Sequence, residues 1–218
     1  STAEPVRRMP VPGQLILPIA QHVGDAANPV IGIGEHVLKG QLIADCSGTL
    51  GAPVHASSSG NVVAIEPWPV SRRYGDMAPC IIIETDGEDR AVEQREKIAA
   101  FNELSPGGLR SSILQGGIVG LGGAVFPTAQ KLTQATTCEL EVLVLNGVEC
   151  EPYISCDDML MRERAKEVLV GAQVLMRATE IDQCIVAVES DKPEAIRKLL
   201  DYLEDLDDER IVIKQVPT

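Results

Sequence analysis

The sequence predicts an α+β protein of two domains, a small all-β module followed by an α/β domain with a parallel sheet. Between residues 13 and 86, short aliphatic runs are broken every few residues by Gly, Pro, Asn or Ser, a pattern typical of compact all-β modules. After residue 140, strand-like apolar runs alternate with helical patterns, as in α/β domains. A chain of 218 residues with 44% apolar content can bury two modest cores.

In the first domain, which spans residues 1–86, an N-terminal arm precedes the strands. Residues 1–12 contain prolines and arginines without periodicity and predict an extended arm. Alternating or continuous aliphatic runs predict the strands that follow. The predicted strands are 14–17, 36–38, 41–44, 61–65 and 80–84.

A charged linking segment, 87–108, separates the two domains. It predicts a helix over 91–104 and a loop at the Ser-Pro-Gly-Gly sequence that ends it. The second domain, 109–218, contains two successive strand-helix-strand units, which imply a parallel sheet. Its predicted strands are 141–145, 183–189 and 210–216, and its predicted helices are 157–177 and 193–206.

A glycine-rich segment carries the main functional signal. Residues 116–131 read Gly-Gly-Ile-Val-Gly-Leu-Gly-Gly-Ala-Val-Phe-Pro-Thr-Ala-Gln-Lys. The glycines lead toward a helix predicted to hold a proline in its first turn, so unpaired N–H groups and a positive dipole end would face a phosphate. Lys131 adds a mobile cation about one turn further on. On spacing alone, the glycines are better explained by tight turns and close packing.

A second segment follows a predicted strand. Residues 144–153 read Val-Leu-Asn-Gly-Val-Glu-Cys-Glu-Pro-Tyr, which places Asn146, Glu149 and Glu151 at the carboxyl end of the strand. Ligands collect there in open α/β sheets. The alternative is a structural role, because acids before a helix stabilise its N-terminus, as Asp157 and its neighbours would.

The two segments resemble the flavin- and NADH-binding signature of the respiratory complex I flavoprotein. They are more similar to the C subunit of the Rnf electron transport complex, which reads Gly-Leu-Gly-Gly-Ala-Gly-Phe-Pro-Thr and Asn-Gly-Ala-Glu-Cys-Glu-Pro-Tyr. Residues 15–24, 34–43 and 53–63 also resemble the small β domain of that family, so the resemblance covers nearly the whole chain. The sequence departs from complex I at Leu121 and Val148, where the relative has Arg and Asp, and from both relatives at Val125, where they have Gly.

The resemblance implies a lipoyl-like barrel-sandwich hybrid followed by a Rossmann-like domain that binds FMN and NAD(H). Gly120, Gly122, Gly123 and Lys131 would hold the flavin phosphate. Phe126 would flank the dinucleotide, Asn146 and Glu149 would line the flavin, and Glu151 would lie beside the nicotinamide. No residue of the chain is assigned a catalytic role, because the flavin carries the chemistry.

The implied function is that of one component of a membrane-associated, ion-motive complex. Electrons would pass between NAD(H) and iron–sulfur centres through the flavin, on the cytoplasmic side of the inner membrane, with the other Rnf subunits as partners. The family's 4Fe-4S motifs lie beyond residue 218, and the six cysteines of this chain form no C-x-x-C pair that would predict a cluster or metal site. We therefore expect these 218 residues alone to be inactive and to bind flavin weakly or not at all.

Composition and motifs limit the other function classes. A net charge of -13 disfavours nucleic acid and anionic lipid as partners, and no apolar run reaches the roughly 20 residues of a membrane span. A biotinyl or lipoyl carrier needs a lysine at its hairpin tip, where residues 56–60 read Ala-Ser-Ser-Ser-Gly. His22, His36 and His55 are expected to be hydrogen-bonded structural residues. A docking module without a cofactor is the remaining alternative.

Overall fold

The chain folds into a mixed α/β protein, as the sequence predicts. The structure is a computed structural model and describes residues 4–46, 48, 50–70, 76–93, 101–121, 125–149 and 153–217. Contacts divide it into two compact units. The barrel unit comprises residues 9–104 and 110–131, and the sheet unit comprises residues 4–8, 105–109 and 132–217. Residues 110–131, which the sequence groups with the second domain, therefore cluster with the β module.

Two antiparallel sheets form the barrel unit. One has the strand order β1-β7-β6-β3 and the other the order β2-β4-β5. The strands are β1 Gln14–Pro18, β2 Asn28–Pro29, β3 His36–Val37, β4 Leu42–Asp45, β5 Val54–His55, β6 Gly60–Pro69 and β7 Met77–Thr85. All five strands predicted in this region are confirmed. β6 and β7 extend further than predicted because their pairing continues to Pro69 and Met77.

The core of the barrel unit draws on both sheets. Val37, Val62 and Ile83 from one sheet pack in a single buried cluster with Ile43 and Val54 from the other. Burying an aliphatic side chain of this size contributes about 1.5–3 kcal/mol. Because the cluster consists of aliphatic residues, aliphatic rather than aromatic contacts stabilise the module.

An acidic turn after β7 fastens onto the serine-rich tip at residues 57–59. The fully buried Ser59 donates its hydroxyl to Asp86 at 2.7 Å, and Ser58 donates to Asp89 at 2.8 Å. Arg90 and His36 also bond Asp86, at 3.0 and 3.1 Å. Two of the tip serines therefore have a structural role, and the tip carries no lysine.

The sheet unit contains a parallel sheet with the order β10-β9-β8, which confirms the predicted parallel pairing. Its strands are β8 Leu143–Gly147, β9 Cys184–Glu189 and β10 Ile211–Val216. The α-helices in the described residues are α1 Pro106–Gln115, α2 Thr128–Ala135, α3 Cys156–Glu163, α4 Ala165–Thr179 and α5 Pro193–Leu206. Leu169, Val186 and Leu199 join α4, β9 and α5 in one buried core.

The opposite face of this sheet is more exposed. Val144, Ile185 and Val212 lie in one cross-strand row, and the two outer valines are 58% and 53% exposed. The next row on that face contains Asn146, Ala187 and Lys214. The predicted site residue Asn146 therefore lies on the exposed face, at the carboxyl end of β8.

Three predicted segments differ from the observed structure. The long helix predicted over 157–177 is two helices, α3 and α4, which meet at Arg164 with φ of -133°. The loop predicted at 105–108 is largely the first turn of α1, where Pro106 occupies a position that needs no intrahelical N–H donor. Of the helix predicted over 91–104, residues 91–93 are not helical, since Ala91 forms a bridge with Lys39. Residues 94–100 lie outside the described residues, and Phe101–Glu103 form a 3-10 turn.

Candidate functional site

The glycine-rich segment folds back on itself as a short hairpin before α2. Gly120 N–H donates to the Phe126 carbonyl at 2.9 Å, and Thr128 N–H donates to the Ile118 carbonyl at 3.0 Å. Val119 and Pro127 form an antiparallel bridge between the two limbs. We call its two described limbs, residues 117–121 and 125–128, the glycine hairpin. The sequence predicted a proline within the first helical turn, whereas Pro127 precedes the helix, which begins at Thr128.

Three of the predicted site residues come together at this hairpin. The Lys131 ammonium lies 5.8 Å from the centroid of the Phe126 ring, within the range of a cation–π contact. A Cβ atom on Gly120 would lie 3.4 Å from the same ammonium, an ordinary contact distance, so Gly120 and Lys131 are direct neighbours. The Gly120 N–H is already used within the hairpin. Lys131, in α2, is therefore the described group beside the hairpin that is best suited to an anion.

The hairpin also contains a strained residue. Val125 has φ of 47°, a backbone region that a β-branched residue rarely adopts. Its carbonyl accepts the N–H of Val23 at 3.2 Å. The departure from glycine noted in the sequence therefore lies at a position where the backbone favours glycine. Gly122 and Gly123, the other predicted phosphate ligands, lie outside the described residues.

The second predicted segment lies in the sheet unit. Asn146 is the penultimate residue of β8 and is exposed, and its side-chain oxygen accepts the Val148 N–H at 3.2 Å. The Glu149 carboxylate accepts the N–H groups of Asp157 and Asp158, at 2.8 and 3.2 Å. Glu149 therefore caps the start of α3, as the structural alternative predicted. Glu151 lies outside the described residues.

The buried carboxylate of Glu189 supports this arrangement. Glu189 ends β9 and is 5% exposed, and it accepts the Glu149 N–H at 3.3 Å. The sequence did not single out Glu189. A carboxylate at the end of an otherwise apolar strand was the available signal, because strand ends in parallel sheets meet at one edge.

Other polar clusters have structural explanations in the described residues. Glu149, Cys156 and Asp157 offer ligand-type atoms within 4.8 Å of one another, but the Glu149 carboxylate is engaged by two backbone N–H groups. His22 and His36 are hydrogen-bonded within the barrel unit, as expected from the sequence. Across the described residues, no helix combines the length and the apolar character of a membrane span.

Comparison with known proteins connects both units to one kind of protein. The family described as the RnfC barrel sandwich hybrid domain matches residues 1–88, and the family described as the Nuo51 FMN-binding domain matches residues 113–218. The first match confirms the barrel-sandwich interpretation of the β module. The second confirms that the α/β region resembles flavin-binding domains.

Several curated relatives are named as the C subunit of an ion-translocating oxidoreductase complex. The relative from Haemophilus influenzae (strain PittEE) is 40% identical over the whole chain, which covers 33% of that protein. The Pseudomonas aeruginosa relative is 46% identical over 91% of the chain and 26% of its own length. The Rhodobacter capsulatus relative is 41% identical over 90% of the chain and 38% of its own length. The chain thus spans roughly a third of the relatives it matches.

Among solved structures, an NAD+-reducing [NiFe]-hydrogenase in the air-oxidized state is similar over 52% of this chain and 20% of its own chain. The TM-score is 0.47 and the sequence identity is 22%. A likeness at this level carries no argument about function.

Proposed function

Because the chain belongs to the RnfC family of ion-translocating oxidoreductase complexes, we propose that it provides the flavin-phosphate site of an electron-transferring subunit. Within the whole protein, electrons would pass between NAD(H) and 4Fe-4S centres in the part of the protein that this chain does not include. The whole protein would lie peripherally on the cytoplasmic side of the inner membrane and bind the other subunits of the complex.

The position of Lys131 is the observation that carries the proposal. Its ammonium lies beside Gly120 and the ring of Phe126. A cation, a glycine and an aromatic ring are therefore neighbours in the barrel unit. A phosphate suits the cation and a planar ring suits the aromatic side chain. The described residues thus fit FMN, with Lys131 as the principal anion contact.

Each residue would have a separate task. Lys131 would neutralise the phosphate, and Phe126 would flank the dinucleotide. In the sheet unit, the resemblance assigns Asn146 and Glu149 to the flavin, and both side chains accept backbone N–H groups. When bound, FMN supplies exchange of a hydride with a nicotinamide and release of single electrons. The protein would supply binding and orientation.

Comparison of FMN with riboflavin tests the phosphate assignment. FMN fluorescence would be titrated with two proteins. One is this chain, and the other is a longer protein in which this chain is followed by the part of a curated relative that it does not match, about two thirds of that relative. We expect weak binding to the chain alone and tight, saturable binding to the longer protein. Lys131→Met should weaken FMN binding about tenfold, the loss of one charge-assisted contact. The exposed Lys166 provides the control, as Lys166→Met.

Riboflavin separates the phosphate from the ring. Because it lacks the phosphate, its affinity should be equal in the parent and in Lys131→Met. Equal loss of both ligands would contradict the assignment of Lys131 to the phosphate. A longer protein that binds neither ligand would instead support the docking function, which is favoured by the internal use of the Gly120 N–H and of Glu149.

A further inference from the structure

The glycine hairpin is held by the β module at both of its limbs. We infer that the barrel loops at residues 20–25 and 50–55 fix the position of this hairpin, and that His22 is the positioning residue at the centre of the contact. The inference rests on the proposed function for its purpose, since the hairpin is the proposed phosphate site. The β module thereby has a role in cofactor recognition without touching the cofactor.

A chain of hydrogen bonds reaches the second limb of the hairpin. Val23 N–H donates to the Val125 carbonyl at 3.2 Å, and the Val23 carbonyl accepts from Nδ1 of His22 at 3.1 Å. Nε2 of the same ring lies 2.9 Å from both the N–H nitrogen and the carbonyl oxygen of Ala52. Because a carbonyl oxygen can only accept, Nδ1 donates to Val23, while Nε2 accepts the Ala52 N–H when it is unprotonated and donates to the Ala52 carbonyl when it is protonated. The His22 imidazole thus connects the backbone of Ala52 to Val23, and the Val23 N–H in turn bonds the Val125 carbonyl.

The surroundings of His22 leave it little freedom. The side chain is 7% exposed, and a Cβ on Gly51 would lie 3.2 Å from its Cε1. Next to it, Asp25 N–H donates to the Leu50 carbonyl at 2.9 Å. A Cβ on Gly24, which has φ of 110°, would collide with that carbonyl. The two barrel loops are therefore closed tightly around the imidazole.

A separate contact holds the first limb of the hairpin. Gly117 has φ of 65°, and a Cβ there would lie 2.5 Å from the Pro53 carbonyl oxygen and 3.2 Å from Nδ1 of His55. A cavity of about 260 Å³ beside this contact is lined by residues that include His22, His55 and Val119. Leu121, the last described residue of the first limb, is 88% exposed.

These contacts explain how a strained residue persists in the hairpin. An L-residue in the left-handed region is disfavoured because its Cβ crowds the backbone carbonyl, and such residues persist where their surroundings over-determine them. The hydrogen bond from Val23 and the two stem bonds made by Phe126 and Thr128, which follow Val125, supply that determination. Loss of the His22 contact should therefore loosen the hairpin more than the barrel.

Amide hydrogen exchange on the whole chain, without any ligand, tests the inference. His22→Ala and Gly117→Ala remove the hold at one limb each, and His22→Gln retains a polar partner for the Ala52 N–H if His22→Ala folds poorly. We expect the stem amides of Gly120 and Thr128 to exchange about tenfold faster, which corresponds to about one lost hydrogen bond. Amides of β7 should be unaffected.

Two controls match these variants. His36→Ala removes another hydrogen-bonded histidine of the same unit. Gly34→Ala places a Cβ at φ of 90° with no atom within 4 Å, so it reproduces the backbone strain of Gly117→Ala without the collision. Both controls should leave exchange at the hairpin stem unchanged.

The outcome does not depend on whether FMN binds. Unchanged stem exchange in His22→Ala and Gly117→Ala, or equal acceleration in β7, would overturn the inference even if the flavin site is real. If the stem loosens as expected but FMN fails to bind the longer protein, the proposed function fails and the positioning role stands. If FMN does bind, His22→Ala should lower the affinity for FMN and leave the affinity for riboflavin unchanged.

Discussion

The carboxylate of Glu149 accepts the backbone N–H of Asp157 at 2.8 Å, so a residue that follows β8 caps α3 across eight positions of the chain. The same carboxylate accepts the Asp158 N–H. An anion at a helix N-terminus satisfies otherwise unpaired donors and interacts favourably with the helix dipole. The resemblance assigns Glu149 to a flavin, so its capping role and its ligand role have to be measured separately.

Glu149→Ala is expected to destabilise the sheet unit by about 1 kcal/mol, the usual cost of losing an N-terminal cap. Glu149→Gln should cost less, because one acceptor oxygen remains while the charge is lost. Urea denaturation followed by circular dichroism at 222 nm measures both. Glu141→Ala removes another exposed acid of the sheet unit and serves as the control. If Glu149→Ala left the stability unchanged but weakened FMN binding, the capping role would be contradicted and only the ligand role of Glu149 would remain.

Val125→Gly is expected to stabilise the barrel unit by up to about 1 kcal/mol, because glycine adopts positive φ without the steric cost paid by valine. The chain's single tryptophan, Trp68 in β6, reports unfolding of this unit by fluorescence. Val119→Gly is the matched control in the facing limb, where φ is not positive, and it should be destabilising. A destabilising effect of Val125→Gly equal to that of Val119→Gly would show that the valine side chain contributes more than the strain costs.

Local sequence patterns predicted the strands well because their signals are short-range. The run at 80–84 reads Cys-Ile-Ile-Ile-Glu, and its apolar residues are buried between two neighbouring strands. Pro193 and the αL residue Asp207 mark both ends of α5, whose predicted bounds are those observed. The break at Arg164 contains neither glycine nor proline, so no local rule locates it.

The site was less predictable because its geometry depends on distant contacts. Glycine spacing cannot show that the Gly120 N–H bonds the Phe126 carbonyl, since a hairpin and a loop leading into a helix share the same residues. His22 meets Ala52 across 30 positions, and Ser59 meets Asp86 across 27. Such pairs follow from strand order, which one sequence leaves open.

Acid should unfold the two units through different aspartates. The Ser59 hydroxyl, the Glu88 N–H and Arg90 hold the pKa of Asp86 well below its ordinary value. In the sheet unit, Arg210 and Gln173 do the same to the pKa of Asp208. A depressed pKa gives stability that is fully present above the unfolded value of about 3.9 and is lost as the pH falls through the lower folded value.

Asp86→Asn should therefore destabilise the barrel unit at pH 7, and its difference from the parent should narrow below about pH 4. Trp68 fluorescence during acid titration measures this. Asp208→Asn should change the 222 nm transition of the sheet unit in the same way and leave Trp68 unaffected, so each variant is the control for the other. If the difference in stability between a variant and the parent stayed constant from pH 7 to pH 2, the shape of the aspartate side chain rather than its charge would account for the stabilisation.

The cysteines should differ in reactivity according to burial. Burial raises the pKa of the Cys184 thiol to about 11, and burial also raises the pKa of Cys80. Cys138 is exposed. Cys156 is exposed as well, but desolvation and the neighbouring Asp157 carboxylate raise its pKa.

Since the thiolate is the reactive form, maleimide at pH 8 should modify Cys138 first and Cys156 more slowly, while Cys80 and Cys184 should react after urea is added. Asp157→Asn should accelerate modification of Cys156 and leave Cys138 unchanged, which peptide mass spectrometry can follow. Native modification of Cys184 at the rate of Cys138 would contradict the packing of β9 against α4 and α5.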